Sequence, residues 1–576
     1  MIQKLFRQIT TTQILSSMTN YLCLLIDSIV VGRLLGVNAM SAYGIATPLL
    51  TIYTALGLML VNGANVPLGQ AIGRGDREGT NTCYSTSITM AMLLAVMSIL
   101  LIFTAGDPLC SLLGAPEGEV FVLTRDYLRG YMLGAPFFFL SQLLNTYLQT
   151  IGKRKRVTCS VIAMIVVNVI GDLLSVFLFH GSMFGIGLVS SLSYLASCMV
   201  SFGGLVGKDS FFRFGRISPH VFIEILRAGN WVLLNQAFVT VRTLVYNLLL
   251  IQLGGTVAVA AFAVYTTLTN LMYTIGIGAG STTLILSSIF YGEEDRDSIH
   301  SLVSAMLLHT LTLTVSVILF SEIMATWLLQ LFLGSDLPDM AVLGFRLFLI
   351  SMIPNMLINV FKMYFSGIKH TTINSLIAFL QHIGLNISFV WLFSRLFGLT
   401  GLWIGATMGQ FAALLFIAII CWRKYGRVSF SPAAFSYLDK DFGAKPEDCT
   451  TLTVSDIPSA VSTSQTLCAF CEQKGLSPRN SMLIGLCVEE ITINIIKHGF
   501  IKDGHPHNID VRLVAGANKN ILRIRDNCMN FDPTDYFKLH QDTDPAAHIG
   551  LRMVMRIVKE ARYINTLGLN NLTLVL

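Results

Sequence analysis

Charge is what this sequence has least of. Asp, Glu, Lys and Arg together make up 12% of its 576 residues, about half the share of an ordinary soluble chain. Hydrophobic residues make up 53%, and mean hydropathy is +0.66. That balance excludes a single water-soluble core and points to a membrane body followed by one soluble region. No Gly-x-x-x-x-Gly-Lys-Ser/Thr stretch occurs, which excludes a phosphate-loop ATP motor. The 11 cysteines form no paired framework. Cys23, Cys83, Cys159 and Cys198 lie in or beside apolar stretches. Cys468 and Cys471 have a CxxC spacing with no second pair nearby, so buried reduced thiols are expected rather than a metal site. The first apolar stretch lacks a small-residue cleavage site, so no removable leader is expected. The net charge of +6 resides mostly in short loops between apolar segments, where it bears on membrane topology and not on nucleic-acid binding.

Long apolar segments are what the chain has in abundance. They fall near 12–31, 44–70, 86–105, 128–150, 157–179 and 184–206, then near 228–252, 257–289, 301–333, 341–366, 372–397 and 400–422. Each can supply the roughly 20 helical residues that a crossing needs. Twelve crossings place both termini on one side. Lys4, Arg7, Arg74, Arg77, the run Lys153 to Arg156, Lys208, Arg213, Arg216, Arg296, Lys369, Arg423, Lys424 and Arg427 make that side basic, hence cytoplasmic. The two sets of six are copies: Gly36 and Gly254, Pro136 and Pro354, and Asn168 and Asn386 are each separated by 218 residues. An even number of helices per copy makes the repeats parallel, with a substrate path between them. Pro136 and Pro354 are expected inside helices, where each either kinks a moving lobe or merely adjusts packing.

Within this apolar background a few polar residues stand out. Asp27 sits in the run Leu24 to Val31, and a charge at that depth persists only where it faces a pocket and is paired or protonated. The bland alternative is that it lies near a membrane face and is wet. Asn168 and Asp172, four residues apart in a later segment, share one helix face. Two carboxylates in one low-dielectric pocket oppose each other's ionisation, so one keeps a proton unless a cation sits between them. Proton and sodium both fit. Arg242 stands alone in its segment, as a counter-ion, as a charge that repels substrate, or as a snorkelling side chain. The interface between the repeats is not expected to be basic.

The run DSIVVGRLLGVNAMSAYGIATP, followed by GQAIGRGDRE, resembles the first two helices of the multidrug and toxic compound extrusion (MATE) transporters. The resemblance covers roughly 1–427. It implies an exporter of organic, often cationic, compounds in exchange for protons or sodium ions. It also implies cation-coupling roles for Asp27, Asn168, Asp172 and Ser190. A second branch of that family couples through acids of the seventh and tenth helices. Here those helices offer Asn230, Asn235, Gln236 and Arg242, and Asn355, Asn359 and Lys362, so no such coupling is implied.

After Arg427 the periodicity stops. The expected boundaries are an N-terminal lobe over 1–210, a C-terminal lobe over 211–427, a linker over 428–450 and a cytoplasmic two-layer α/β domain over 451–576. The pattern predicts three or four strands with helices on one face, and a polar loop over 532–547. Glu490 and Asn494 share a helix face and can hold a magnesium ion and a water. Asp526, at a strand end, can accept from an adenine amino group, and the helix after Gly550 points its N-terminus at a phosphate. This region resembles the GHKL fold of histidine kinases and anti-sigma-factor serine kinases. That likeness implies Mg-ATP as a cofactor, with Glu490 as the base, Asn494 on the metal, and Lys497, His498, Asp526 and Gly550 on the nucleotide. Asp526 to Asn530 and His548 depart from the glycine pattern of that fold.

The fold expected overall is therefore a polytopic α-helical membrane protein of twelve helices in two six-helix repeats, with an α/β tail. The expected activity is export of an organic small molecule across a prokaryotic plasma membrane, coupled to protons or sodium. A cytoplasmic protein partner for the tail is also expected, and nucleic acid is not. Two alternatives are a membrane sensor controlling an anti-sigma-type serine kinase and a flippase for lipid-linked cargo.

Overall fold

The computed structural model describes residues 2–177, 181–205, 215–333, 339–500, 507–516, 520–539 and 549–576. The first half of the helical body comprises α1 (Ile2–Val30), α2 (Val37–Gly73), α3 (Arg77–Leu112), α4 (Glu119–Met132), α5 (Ala135–Thr150), α6 (Arg154–Phe177) and α7 (Met183–Leu205). The second half comprises α8 (Pro219–Gly292), α9 (Arg296–Ile323), α10 (Ala325–Leu333), α11 (Asp339–Ile350), α12 (Met352–Gly367), α13 (Thr371–Phe379) and α14 (Leu385–Tyr425). Turns between spans follow local chemistry. Gly36 at φ 89° and Gly255 at φ 65° break the chain where only glycine turns freely. Asp76 and Asp295 cap the helices that follow them, accepting from Gly79 N and Ser298 N.

The twelve expected crossings are corrected. Among the described residues, ten helices are long and apolar enough to cross a membrane. The stretch 128–150 is cut at Leu133–Gly134 into α4 and α5, of 14 and 16 residues, each short of a crossing. The stretches 372–397 and 400–422 fall in the continuous run Thr371–Tyr425, which leaves helical geometry at Phe397 and Gly398 and so divides between them. The prolines are corrected too. Pro136 and Pro354 lie in the first turns of α5 and α12, where a missing N–H costs nothing, and not inside unbroken helices.

The halves meet most closely through glycines of α2. A Cβ on Gly63 would lie 2.3 Å from the Ile225 carbonyl oxygen, and one on Gly69 would lie 1.9 Å from Ser288 Oγ. Backbones approach this closely only where side chains are absent. Around these contacts Met59 and Val66 pack with Ala228, Trp231, Val232, Leu284 and Met363 as an apolar plug between the halves.

Five strands follow the helical body: β1 (Cys449–Val454), β2 (Ile509–Ala515), β3 (Asn520–Asp526), β4 (Glu560–Thr566) and β5 (Leu569–Val575). They form one antiparallel sheet in the order β1-β2-β3-β5-β4. Val511, Leu513, Leu522, Ile524, Leu572 and Leu574 pack with helices at 457–473, 478–499 and 549–557. A short helix over 533–539 occupies part of the expected loop.

The expected separate cytoplasmic α/β domain is also corrected. The C-terminal part of the chain contains the span-like run Thr371–Tyr425, and the sheet after it is not detached from the helices. Strand alternation puts Arg512, Arg523 and Arg525 on the face opposite the apolar core. Arg512 and Arg523 are directly opposed across β2 and β3, a repulsive pair unless acids cover it. The α8–α9 turn supplies those acids. Arg512 pairs with Asp295 and with Asp297 at 2.9 Å, Arg523 with Glu293 at 3.2 Å, and Arg525 with Glu293 at 2.6 Å. The β4–β5 turn reaches the first half, where Arg154 donates to the Leu567 carbonyl at 2.9 Å and Thr566 Oγ1 donates to the Thr150 carbonyl at 3.0 Å. The sheet thus touches both halves at one end of the bundle.

Candidate functional site

Asp27 lies near the far end of α1. Ile2, at the other end, lines the same cavity as Arg512 and Arg525. At 1.5 Å per residue, about 37 Å of helix separates that sheet-covered end from Asp27. The carboxylate is 2% exposed. Asn168 Nδ2 of α6 donates to its Oδ1 at 3.0 Å, and Ser190 Oγ of α7 donates to its Oδ2 at 3.1 Å. Asp172 is one turn beyond Asn168 and fully buried, and neither of its oxygens has a hydrogen-bond partner among the described residues. Asn168 Oδ1 is likewise unpartnered. All four residues named from the sequence therefore converge on one pocket inside the first half. Five oxygens of the two carboxylates and the amide, together with a hydroxyl, make a hard donor set suited to a proton or an alkali cation.

The sequence reasoning missed the aromatic wall of this pocket. Tyr43 and Tyr127 rings lie 5.4 Å apart, and Tyr127 and Tyr131 rings 6.0 Å apart. Tyr131 and Tyr194 share a hydroxyl contact of 3.0 Å. The signal was present: Tyr127 and Tyr131 are one helical turn apart, in a helix that also carries charge.

The second half is built differently. At the offset relating Asn168 to Asn386, Asp172 falls opposite Val390. Asn386 accepts from the Tyr246 hydroxyl at 2.6 Å, so a tyrosine takes the place that Asp27 holds beside Asn168. Lys362, 1% exposed, donates to Asn235 Oδ1 at 2.7 Å and to Gln381 Oε1 at 2.9 Å. Arg242 lies 3.2 Å from His382 Nδ1, and Asn359 donates to the Gly276 carbonyl at 2.9 Å. This cluster inside the second half is basic, a gathering that the sequence does not show. The basic residues are scattered over three helices, and only folding gathers them.

The nucleotide-binding expectation for the tail is not upheld. Asp526, expected on adenine, accepts at Oδ1 from Asn570 Nδ2 at 2.8 Å and from Cys528 N at 2.9 Å. Burial pushes its carboxyl up from the ordinary range, and those two donors oppose the shift. Glu490, expected as the base, packs on the start of the last helix, with its Oε2 where a Cβ on Gly550 would come within 1.9 Å. Asn494 is half-buried, and Lys497 and His498 are exposed. His548 lies outside the described residues.

A family model described as MatE matches residues 13–174 and again 232–392, and so ends before the sheet. The multidrug export protein MepA of Staphylococcus saprophyticus is 26% identical over 231 residues, 39% of this chain and 51% of that protein. MepA of a Staphylococcus aureus strain is 24% identical over 238 residues, 41% of this chain and 52% of that protein. The chain thus spans about half the length of these curated relatives. Among solved structures, a multidrug resistance MATE family transporter in an outward-facing conformation matches with a TM-score of 0.67 at 21% identity, over 72% of this chain and 94% of that one. A MOP superfamily transporter from Pyrococcus furiosus, described as having reverse polarity of its binding pocket, matches with a TM-score of 0.66 at 20% identity, over the same shares. These likenesses are of fold and do not extend to the β-sheet region as a kinase-type domain.

Proposed function

Because the chain belongs to the MatE family, we propose that it is a cation-coupled antiporter that exports organic small molecules across a prokaryotic plasma membrane. The observation that carries the reading is the Asp27–Asp172 pair, buried beneath Asn168 and Ser190. Two carboxylates with so few donors between them are tolerated in a low-dielectric interior only with a proton or a cation added. Binding that cation neutralises the pocket, and losing it recharges the pocket. A cavity wall that changes charge in this way can favour different packings of the two lobes. Coupling is assigned to the first half alone, since Val245 and Val390 stand at the offset positions of Asp27 and Asp172 in the second.

Full-length protein in sealed vesicles, with an imposed proton or sodium gradient and a panel of cationic and zwitterionic fluorescent dyes, tests this. Asp27→Asn is expected to abolish gradient-driven efflux while leaving insertion and folding intact, and Asp172→Asn to do nearly the same. Full response of Asp27→Asn vesicles to both gradients would refute the assignment.

A further inference from the structure

The cluster in the second half has too many donors and too few acceptors. Lys362 offers three N–H groups, and Asn235 and Gln381 take two of them. The ammonium also lies 5.9 Å from the centre of the Trp231 ring. Trp231 Nε1 and Arg242 Nε are buried, and neither has a partner among the described residues. Among the described residues the hydrogen-bond partners of Lys362 are Asn235 and Gln381 and that of Arg242 is His382, and no carboxylate makes an ion pair with either cation. A buried cation left unmatched costs several kcal/mol, so a set of two cations and a histidine is unusual unless something anionic completes it.

Position supports the same reading. Trp231, Asn235 and Arg242 follow one another at spacings of four and seven, on one stripe of α8. Trp231 belongs to the plug against Met59 and Val66 of the first half, and so does Met363, next to Lys362. The stripe that seals the two halves together therefore continues into the donor cluster. Asn235, Arg242 and Asn355 are only half-buried, so the cluster is not sealed inside the second half. Gln381 and His382 sit in a π-helical turn, Leu380–Gly384, an irregularity that is frequent where a helix serves a site. At the repeat offset, Arg242, Lys362 and His382 fall opposite Leu24, Leu144 and Met164. The two copies have diverged to opposite polarity, acidic in one and basic in the other.

We propose that Arg242, Lys362 and His382 form a subsite for an anionic group, a carboxylate or phosphate, on the exported organic molecule. This rests on the transporter reading above and narrows its substrate class to anionic or zwitterionic compounds. Arg242 presents a planar fork and Lys362 a point charge. Trp231 provides an aromatic wall for the organic part, with its N–H free to donate.

The test uses full-length protein in phosphatidylcholine nanodiscs and a matched pair of probes, dansylglycine and dansylglycine methyl ester, read by dansyl fluorescence. Wild type is expected to bind the carboxylate at least about tenfold more tightly than the ester, the range of a charge-assisted hydrogen bond. Lys362→Met should reduce that ratio to near one, and Lys362→Arg should retain part of it. Should Lys362→Met fail to fold, Arg242→Gln, at a half-buried position, carries the same expectation. Equal binding of both probes to wild type, or an undiminished ratio in the folded Lys362→Met or Arg242→Gln protein, overturns the proposal. Loss of the ratio on adding phosphatidylglycerol would assign the subsite to a lipid phosphate and overturn the assignment to cargo. In wild type, a tenfold ratio without gradient-driven efflux would sink the coupling reading alone, and gradient-driven efflux without the ratio would sink this one alone.

Discussion

Glu293 is the residue on which attachment of the sheet to the helices most depends. Its side chain is 1% exposed and accepts from Arg525 at 2.6 Å and from Arg523 at 3.2 Å, and its Oε1 accepts from Asn571 Nδ2 at 2.9 Å. Removing one partner of a buried ion pair costs about 3–5 kcal/mol, because the other charge stays buried. In Glu293→Ala, Arg523 retains Asp295 at 3.4 Å, while Arg525 loses its one direct acidic contact among the described residues. The lower end, about 3 kcal/mol, therefore applies. If the sheet can lift without unfolding, that is about a hundredfold more of the lifted form. Cys449 reports it, since its Sγ lies 3.8 Å from Arg512 and 4.0 Å from Asp297, inside the interface. Maleimide labelling of Cys449, followed by peptide mass spectrometry, should accelerate by about two orders of magnitude in Glu293→Ala. The control is Asp439→Asn, which removes the pair with Lys424, 34% and 69% exposed. An exposed pair contributes about 1 kcal/mol at most, so labelling should change less than about fivefold. Labelling in Glu293→Ala as slow as in wild type, or equal acceleration in both variants, would refute the reasoning.

The same interface makes a pH prediction. Burial pushes Asp295 up, but Arg512, Arg523 and Arg525 together hold its carboxyl below the ordinary 3.8. A depressed folded-state value means its contribution is fully present above about pH 4 and is lost as pH falls through that lower value. Cys449 labelling, corrected for thiolate fraction, should therefore reveal no weakening of attachment between pH 8 and 5, with weakening confined to below about pH 4. Gly63→Ala puts a methyl against the Ile225 carbonyl oxygen, 2.3 Å from where its Cβ must go. Overpacking there costs about 1–3 kcal/mol and should widen the separation of the halves at that end, measured by spin-label distances; an unchanged distance distribution would contradict the close packing. Asp526→Asn keeps an oxygen to accept from Asn570 and Cys528. Because burial raises that carboxyl, the charged form burdens the fold as pH rises through the raised value. The variant should equal or exceed wild type in thermal stability at pH 7, and a loss of more than about 1 kcal/mol would show that the charge is needed.

Much about the transporter body is legible in the residue string. Membership of the family is readable from the run around Asp27, because the same residues set an apolar helix, a glycine break and an isolated carboxylate. The meeting of Asp27 with Asn168 and Asp172 is readable because a charge in apolar sequence must find partners, whereas Ser190 enters only through the family resemblance. The count of spans is less legible, because hydropathy places the boundary near Gly398 but does not see the break at Leu133–Gly134. The tail misleads for a different reason. Glu490, Asn494 and Asp526 have the spacing of a nucleotide site, but spacing does not reveal that Asn570, 44 residues on, donates to Asp526 Oδ1.

Local periodicity and composition determine which segments are apolar, where helices begin and which polar residues are anomalous, since these depend on neighbours within a turn or two. Tertiary structure alone decides which anomalies meet. Lys362 and His382 are unremarkable in sequence, and Arg242, which does stand out, shows no partner there. Their charges become a common feature only because α8, α12 and the π-helical turn after α13 bring them within a few ångströms. The arginines of β2 and β3 likewise look like an ordinary solvated strand face. They are instead closed over the acids of the α8–α9 turn, because opposed like charges on a sheet require a counter-charge that only another part of the chain can bring.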